Sequence, residues 1–309
     1  MPIAPTDYQA LLDAVAADVA PMLGQGKVAD YIPALATVPP HKFGMALVTT
    51  GGQVYRTGDA TERFSIQSIS KLFTLLMAFR LHGDALWRRV GREPSGEPFN
   101  SLIQLELEHG IPRNPFINAG ALVVTDALCS HYAQTERAIL DFLRQLGGSP
   151  TINTNDAIAR SEAAHGFRNA AAANLIKSFD NLRAPVDTVL RTYFAQCAIE
   201  MNCVELAHAV LPLARGGRLP ASDAALLTAS EAKRINAILL TCGTYDAAGD
   251  VAYRVGLPAK SGVGGGIVAV MPGEFAICVW SPPLDANGNS LAGVAALESL
   301  TTQLGRSIF

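Results

Sequence analysis

The stretch Phe64 to Phe79, FSIQSISKLFTLLMAF, constrains this chain more than any other. Leu72, Leu75, Leu76 and Phe79 recur at helical spacing, and the segment is apolar enough to be a core helix. Ser68 and Lys71 stand three residues apart at its start, where one helical turn brings two side chains onto the same face. Burial would make the ammonium form of Lys71 costly and lower its pKa, leaving a neutral amine able to take a proton from the serine. Ser68 is therefore a candidate nucleophile. Its backbone amide, at a helix start without an intrahelical partner, is a candidate oxyanion donor. The alternative is a capped core helix with a snorkelling lysine. A second serine–lysine pair, Ser230 and Lys233 in SEAK, has the charged neighbours Glu231 and Arg234, so Ser230 reads as a helix cap on a solvated surface.

At 309 residues and 49% hydrophobic, the chain can bury a large core as one domain or as two closely packed subdomains. Charged residues are 17% of the chain and the net charge is -3, so no basic surplus points to nucleic acid or an anionic membrane. No apolar run is long and uncharged enough to span a bilayer. MPIAPTDYQALLDAV lacks the basic-then-apolar pattern of a secretory signal. Five scattered cysteines read as reduced, buried thiols of a cytoplasmic protein, and Cys197 has no nearby histidine to activate it. The six histidines show no HExxH pairing and no cysteine partners at ligand spacing, so neither a metal nor a cofactor is expected.

Thr6 can cap a helix whose apolar side is Leu12, Val15, Val19 and Met22. The β-rich runs Phe43 to Thr49 and Val54 to Thr57 meet across Gly51 and Gly52 as a hairpin, and Gly266 to Val270 and Phe275 to Trp280 meet across Pro272 and Gly273. Leu291 to Leu304 reads as an amphipathic helix, and loops are expected at REPSGEPFN and GGSPTINTN. The pattern predicts an α+β fold: an antiparallel sheet from both chain ends, about 1–65 and 255–309, flanked by helices and joined to a mostly helical subdomain of about 66–254. Together these form one domain over 1–309.

Several polar residues have two readings each. Tyr31 in DYIPAL is either a packing residue or a hydrogen-bonding lid. Asn118 is an N-cap or an amide that holds a ligand. Glu162 and Asn169 lie seven apart, two helical turns, so that both can face one cavity, Glu162 toward an ammonium and Asn169 toward a carboxylate. Otherwise Glu162 belongs to a capping box or an exposed face. Tyr193 and Tyr245 are core tyrosines or phenols that relay a proton or bind a substrate oxygen. The glycines of VGLPAKSGVGGGIVAV fit neither GxGxxG nor a phosphate loop. Lys260, Ser261 and Gly262 instead precede a strand, as a loop along the sheet edge that brings the Val263 amide into place as a second oxyanion donor.

A serine–lysine pair followed by a lysine–serine–glycine stretch is the signature logic of serine β-lactamases and penicillin-binding proteins, but their SDN or YxN motif is absent. In its place FSIQSISK, NPFINAGAL, EAAHGFRN, YFAQCAIEM, CGTYDAAG and LPAKSGVGGGI follow in order. Together they resemble the serine-dependent glutaminases, the bacterial glutaminase A family, from Tyr31 to the C-terminus. The resemblance implies a β-lactamase/penicillin-binding-protein-like fold and an amidohydrolase that converts L-glutamine and water to L-glutamate and ammonia. It also implies Ser68 as nucleophile, Lys71 as base, Tyr245 assisting proton transfer, and the Ser68 and Val263 amides as oxyanion hole. Tyr31, Asn118, Glu162, Asn169 and Tyr193 would hold the amino acid. Thr244 stands where the family often has a bulkier residue, and electrostatic support is the role left to Lys260. A homodimer or homotetramer is implied, without nucleic-acid or membrane partners. The alternatives are a β-lactamase-like or D-alanyl peptidase hydrolase on the same pair, and a non-catalytic amino-acid-binding protein.

Overall fold

The computed structural model describes residues 6–96 and 101–309. Its strands, in chain order, are β1 (Gly44–Thr49), β2 (Val54–Gly58), β3 (Phe64–Ser65), β4 (Asn153–Thr154), β5 (Ile199–Met201), β6 (Ala259–Ser261), β7 (Gly266–Met271) and β8 (Phe275–Trp280). The main sheet is antiparallel, ordered β2-β1-β8-β7-β6, so both ends of the chain supply it. The hairpins β1–β2 and β7–β8 are joined edge to edge by pairing Gly44 with Trp280 and Thr49 with Phe275.

Every residue of β1, β7 and β8 is buried because both sheet faces are covered. Successive side chains of a strand point to opposite faces. Met45, Leu47, Ile267, Ile277 and Val279 therefore pack on Leu12, Val15, Leu297 and Leu300, from the terminal helices Tyr8–Val19 and Leu291–Leu304. Ala46, Val48, Val268, Val270 and Cys278 face the helical part of the chain. At the edge of this sheet, β2 alternates between exposed and half-buried positions.

The helix Ser70–His82 is buried at every position from Ser70 to Phe79. A helix apolar all round belongs inside a protein. A second, three-stranded sheet, β3-β5-β4, ties the residues leading into this helix to the middle of the chain, with Phe64 opposite Met201 and Asn153 opposite Glu200. Among the described residues no helix is long and apolar enough to cross a membrane.

Two helix starts differ from the sequence reading. Asp7, not Thr6, caps the first helix by accepting from the Ala10 amide at 3.0 Å. Thr228 caps the helix Ala229–Cys242, because Glu231 lies where a capping box needs it, and Ser230 sits inside the first turn. The loop expected at 92–100 is described as far as Gly96, and positions 97–100 lie outside the described residues.

Candidate active site

β3 ends at Ser65, and the short 3-10 turn Gln67–Ile69 follows before the buried helix begins at Ser70. Ser68 sits in that turn. Gln67 takes φ +49°, a left-handed conformation that a side-chain-bearing residue adopts only when its surroundings impose it. Here its Nε2 donates to Ser65 Oγ at 3.0 Å, and Ser65 Oγ donates to the Cys197 carbonyl at 2.9 Å.

The β6–β7 turn closes against the same segment. A Cβ on Gly262 would lie 2.5 Å from the Ile66 carbonyl oxygen and 3.3 Å from the Ser68 nitrogen, so this approach requires glycine. Trp280 stacks on Phe64 at 4.9 Å and donates through Nε1 to the Gly264 carbonyl at 3.0 Å, so one indole fixes both segments. Among the described residues, neither the Ser68 nor the Val263 amide donates to another backbone carbonyl. The sequence reads residues 260–262 as loop, whereas Ala259–Ser261 form the edge strand β6, pairing with β7 from Ala259↔Ala269 to Ser261↔Ile267.

Lys71 is 1% exposed. Burial pulls its pKa down to about 8, against the opposing pull of Cys197 and Glu162. Its Nζ donates to Asn118 Oδ1 at 2.6 Å and to the Phe116 carbonyl at 3.1 Å. The direct meeting of amine and hydroxyl expected from their spacing is not what the structure shows. Among the described residues Lys71 makes no hydrogen bond to Ser68, and two fixed oxygens on the neighbouring segment accept from it instead.

Tyr245 fills the place beside the serine. Its phenol lies beside Ser68, which pulls its pKa down, and donates to the Ser261 carbonyl at 3.3 Å. Burial drives its pKa up, and those two partners pull the other way. Tyr245 also has a left-handed backbone, φ +57°. Lys260, fully buried, lies 4.4 Å from the centre of its ring and donates to the carbonyls of Gly243 at 2.9 Å and Ser261 at 2.6 Å. Burial first, and then the neighbouring Lys71, hold the pKa of Lys260 well below the usual lysine range.

A cavity of about 290 Å³ opens at Ser68, its wall including Tyr31, Asn118, Glu162, Asn169, Tyr193 and Val263. Lys71 and Tyr245 are not in that wall. The volume suits a small ligand. Tyr31, 57% exposed, belongs to the mouth, while Tyr193, 3% exposed, belongs to the depth. Asn118 is the first residue of the helix Asn118–Cys129, not its cap, and its Nδ2 donates to Asn169 Oδ1 at 2.9 Å. Glu162 and Asn169 do not share a helix as their spacing suggests. Glu162 lies in the last turn of the helix Asp156–His165, Asn169 lies in the first turn of Phe167–Ser178, and the chain breaks at Gly166, where a Cβ would lie 2.3 Å from Phe194 Cζ. Both still reach the cavity.

Burial raises the Glu162 pKa, opposed by a hydrogen bond from Gln67 and the charge of Lys71. Its Oε1 is buried without a partner among the described residues, as suits an oxygen that receives an ammonium. Gln67, His165 and Arg168 also line the cavity and were not picked out as site residues from the sequence, although all three lie inside FSIQSISK and EAAHGFRN. Cys197 reaches the cavity too, but burial, ahead of Glu162, pushes its pKa up to about 12, so it stays a thiol.

The family model for glutaminase matches residues 26–309. The chain belongs to the glutaminase family. It is 61% identical over 303 residues to glutaminases of Ralstonia nicotianae and Paraburkholderia phytofirmans, covering 98% of this chain and all of each relative. A solved structure described as probable glutaminase ybaS superposes with a TM-score of 0.92 at 39% identity, over 97% of both chains. A probable glutaminase from Bacillus subtilis, solved with 6-diazo-5-oxo-L-norleucine, superposes with a TM-score of 0.88 at 31% identity, over all of this chain and 99% of that one. Of the readings that the motifs left open, family membership selects the glutaminase: an amidohydrolase converting L-glutamine and water to L-glutamate and ammonia. The α+β fold with its antiparallel sheet is that of the glutaminase structures.

Proposed function

We propose that glutamine is cleaved by a two-step acyl transfer on Ser68. The observation that carries this reading is the Tyr245 phenol beside Ser68, with a buried amine of pKa about 8 close by at Lys71. Ser68 Oγ attacks the side-chain amide carbon while its proton passes to Lys71, directly or through the Tyr245 hydroxyl. The Ser68 and Val263 amides stabilise the oxyanion. The amide nitrogen takes a proton from Lys71 and leaves as ammonia, and a γ-glutamyl ester remains. Water attacks the ester, its proton returns through the same groups, and glutamate is released with Ser68 restored.

Glu162 pairs with the substrate ammonium, and Tyr31, Asn118, Asn169 and Tyr193 hold the rest of the amino acid. A peptide-bonded glutamine lacks that ammonium and would bind poorly. The Bacillus subtilis relative bound to 6-diazo-5-oxo-L-norleucine supports a pocket shaped for this carbon skeleton. Ammonia release from L-glutamine by the wild type and by Ser68→Ala tests the assignment. Loss of turnover in the variant is expected, and equal rates would remove Ser68 from the mechanism.

We further place the enzyme in the cytoplasm, on the strength of its five free thiols, and read it as a homodimer or homotetramer. Ile103 and Leu107, 74% and 69% exposed one helical turn apart, support self-association. Light scattering should return two or four times the chain mass, and a monomer at micromolar concentration would contradict it.

A further inference from the structure

The loop between β8 and the C-terminal helix reaches back to the active site through Asn289. That residue is fully buried, and its Nδ2 donates to the Thr244 carbonyl at 3.2 Å. Thr244 immediately precedes Tyr245, whose backbone is left-handed. A residue bearing a side chain keeps that conformation only when something external imposes it. Asn289 is itself pinned, since its amide donates to Asp285 Oδ1 at 3.0 Å and its carbonyl accepts from the Asp285 amide at 2.8 Å. At Gly288 the same turn runs alongside the site, where a Cβ would sit in ordinary van der Waals contact, 3.9 Å from Val263 Cγ1 and 4.0 Å from Tyr245 Cε2.

The carboxamide serves one end only. Among the described residues Asn289 Oδ1 is buried without a partner. Burying an unpaired acceptor destabilises a fold. An apolar residue would fill the space without that loss, so the donated hydrogen bond is what an asparagine adds here.

We propose that Asn289 is a positioning residue for catalysis, holding the Thr244 carbonyl so that the Tyr245 phenol stays against Ser68. It touches no substrate and acts through Tyr245. The inference rests on the proton-relay reading of Tyr245 given above.

Its test is a set of steady-state measurements with L-glutamine on Asn289→Ala, Tyr245→Phe and the double variant. Asn289→Ala should lower kcat by about tenfold to a hundredfold with KM within a factor of two, as expected for a displaced reacting group in an intact pocket. Tyr245→Phe should lose more, and adding Asn289→Ala to it should then change kcat by less than about threefold, because the hydroxyl to be positioned is gone. Losses that multiply, a rise in KM that matches the fall in kcat, or wild-type kcat in Asn289→Ala would each overturn the role of Asn289 while leaving that of Tyr245. Full activity in Tyr245→Phe would instead remove the relay, and the positioning role with it. Should Asn289→Ala not fold, Asp285→Ala unpins the same turn from a half-exposed site. The same kcat loss, absent on the Tyr245→Phe background, is expected, and wild-type kcat there would sink the proposal.

Discussion

Lys71 Nζ lies 2.6 Å from Asn118 Oδ1, and Asn118 Nδ2 in turn lies 2.9 Å from Asn169 Oδ1, so the amine behind the nucleophile is wired to the wall of the substrate cavity. Carboxamide oxygens hold a lysine without adding charge. That matters because burial alone has brought its pKa to about 8, and an anion in the same place would undo the effect. Asn118→Asp supplies that anion. An opposite charge favours the ammonium, so the pH at which activity rises should move up by at least one unit, with kcat at neutral pH down tenfold or more. A pH–kcat profile checks it, and an unmoved limb would mean that Lys71 is not the group that titrates.

The wild-type profile has its own expected form. A base must be neutral to accept a proton, and with a pKa of about 8 Lys71 is mostly protonated at neutral pH. Activity should therefore climb as pH rises through about 8, one order of magnitude per unit on the acid side. Glu162 raises the Lys71 pKa, so Glu162→Gln should shift the climb to lower pH, the reverse of Asn118→Asp. The same change removes the carboxylate proposed to meet the substrate ammonium. A charge-assisted hydrogen bond of about 2–3 kcal/mol corresponds to a KM increase of roughly 30- to 150-fold. KM and the limb position, read from one set of assays, separate the two effects.

Tyr245→Phe keeps the ring against Lys260 and removes only the hydroxyl shared with Ser68 and Ser261. General acid–base groups contribute about 10²- to 10⁴-fold, so kcat should fall within that range while KM changes little. The chain should fold normally, since the ring packing against Lys260 stays. Equal kcat in the variant and wild type would leave proton transfer to Lys71 alone, across a gap that the resting structure does not bridge.

Much of this was legible in the residues. The β-rich runs of β1, β7 and β8, meeting across glycine turns, and the apolar run from Leu72 to Phe79 marked the sheet and the central helix, because composition and apolar runs are local properties. Of the nine residues assigned to the site from motif order, seven line the cavity, Tyr245 lies beside Ser68, and Lys71 bonds the cavity-lining Asn118. What the sequence hid was long-range. That Lys71 donates its hydrogen bond to Asn118 depends on a helix start 47 positions away in sequence. The break at Gly166 depends on Phe194, and the support for Tyr245 on Asn289. Gln67 went unmarked because its left-handed backbone, unlike a glycine, leaves no trace in composition.

The close approach of the β6–β7 turn to the nucleophile sets the last prediction. Gly262 lies against the nucleophile turn so tightly that an alanine methyl would stand 2.5 Å from the Ile66 carbonyl oxygen, which is backbone and cannot rotate aside. Contacts below 3.0 Å force a shift, and the segment free to move is the turn carrying Val263, since the other side is locked by the pairing of Phe64 with Met201. The turn is not wholly free, because Trp280 holds Gly264, so the displacement falls mainly on residues 262 and 263. The Val263 amide would then leave the position where an oxyanion forms. Loss of one oxyanion-hole donor costs about 10²- to 10³-fold in kcat, and Gly262→Ala should show a loss of that size with KM nearly unchanged. Its thermal midpoint should fall by only a few degrees, because an overpacked site at the edge strand costs about 1–3 kcal/mol. Near-normal kcat would mean that the Val263 amide does not serve the oxyanion.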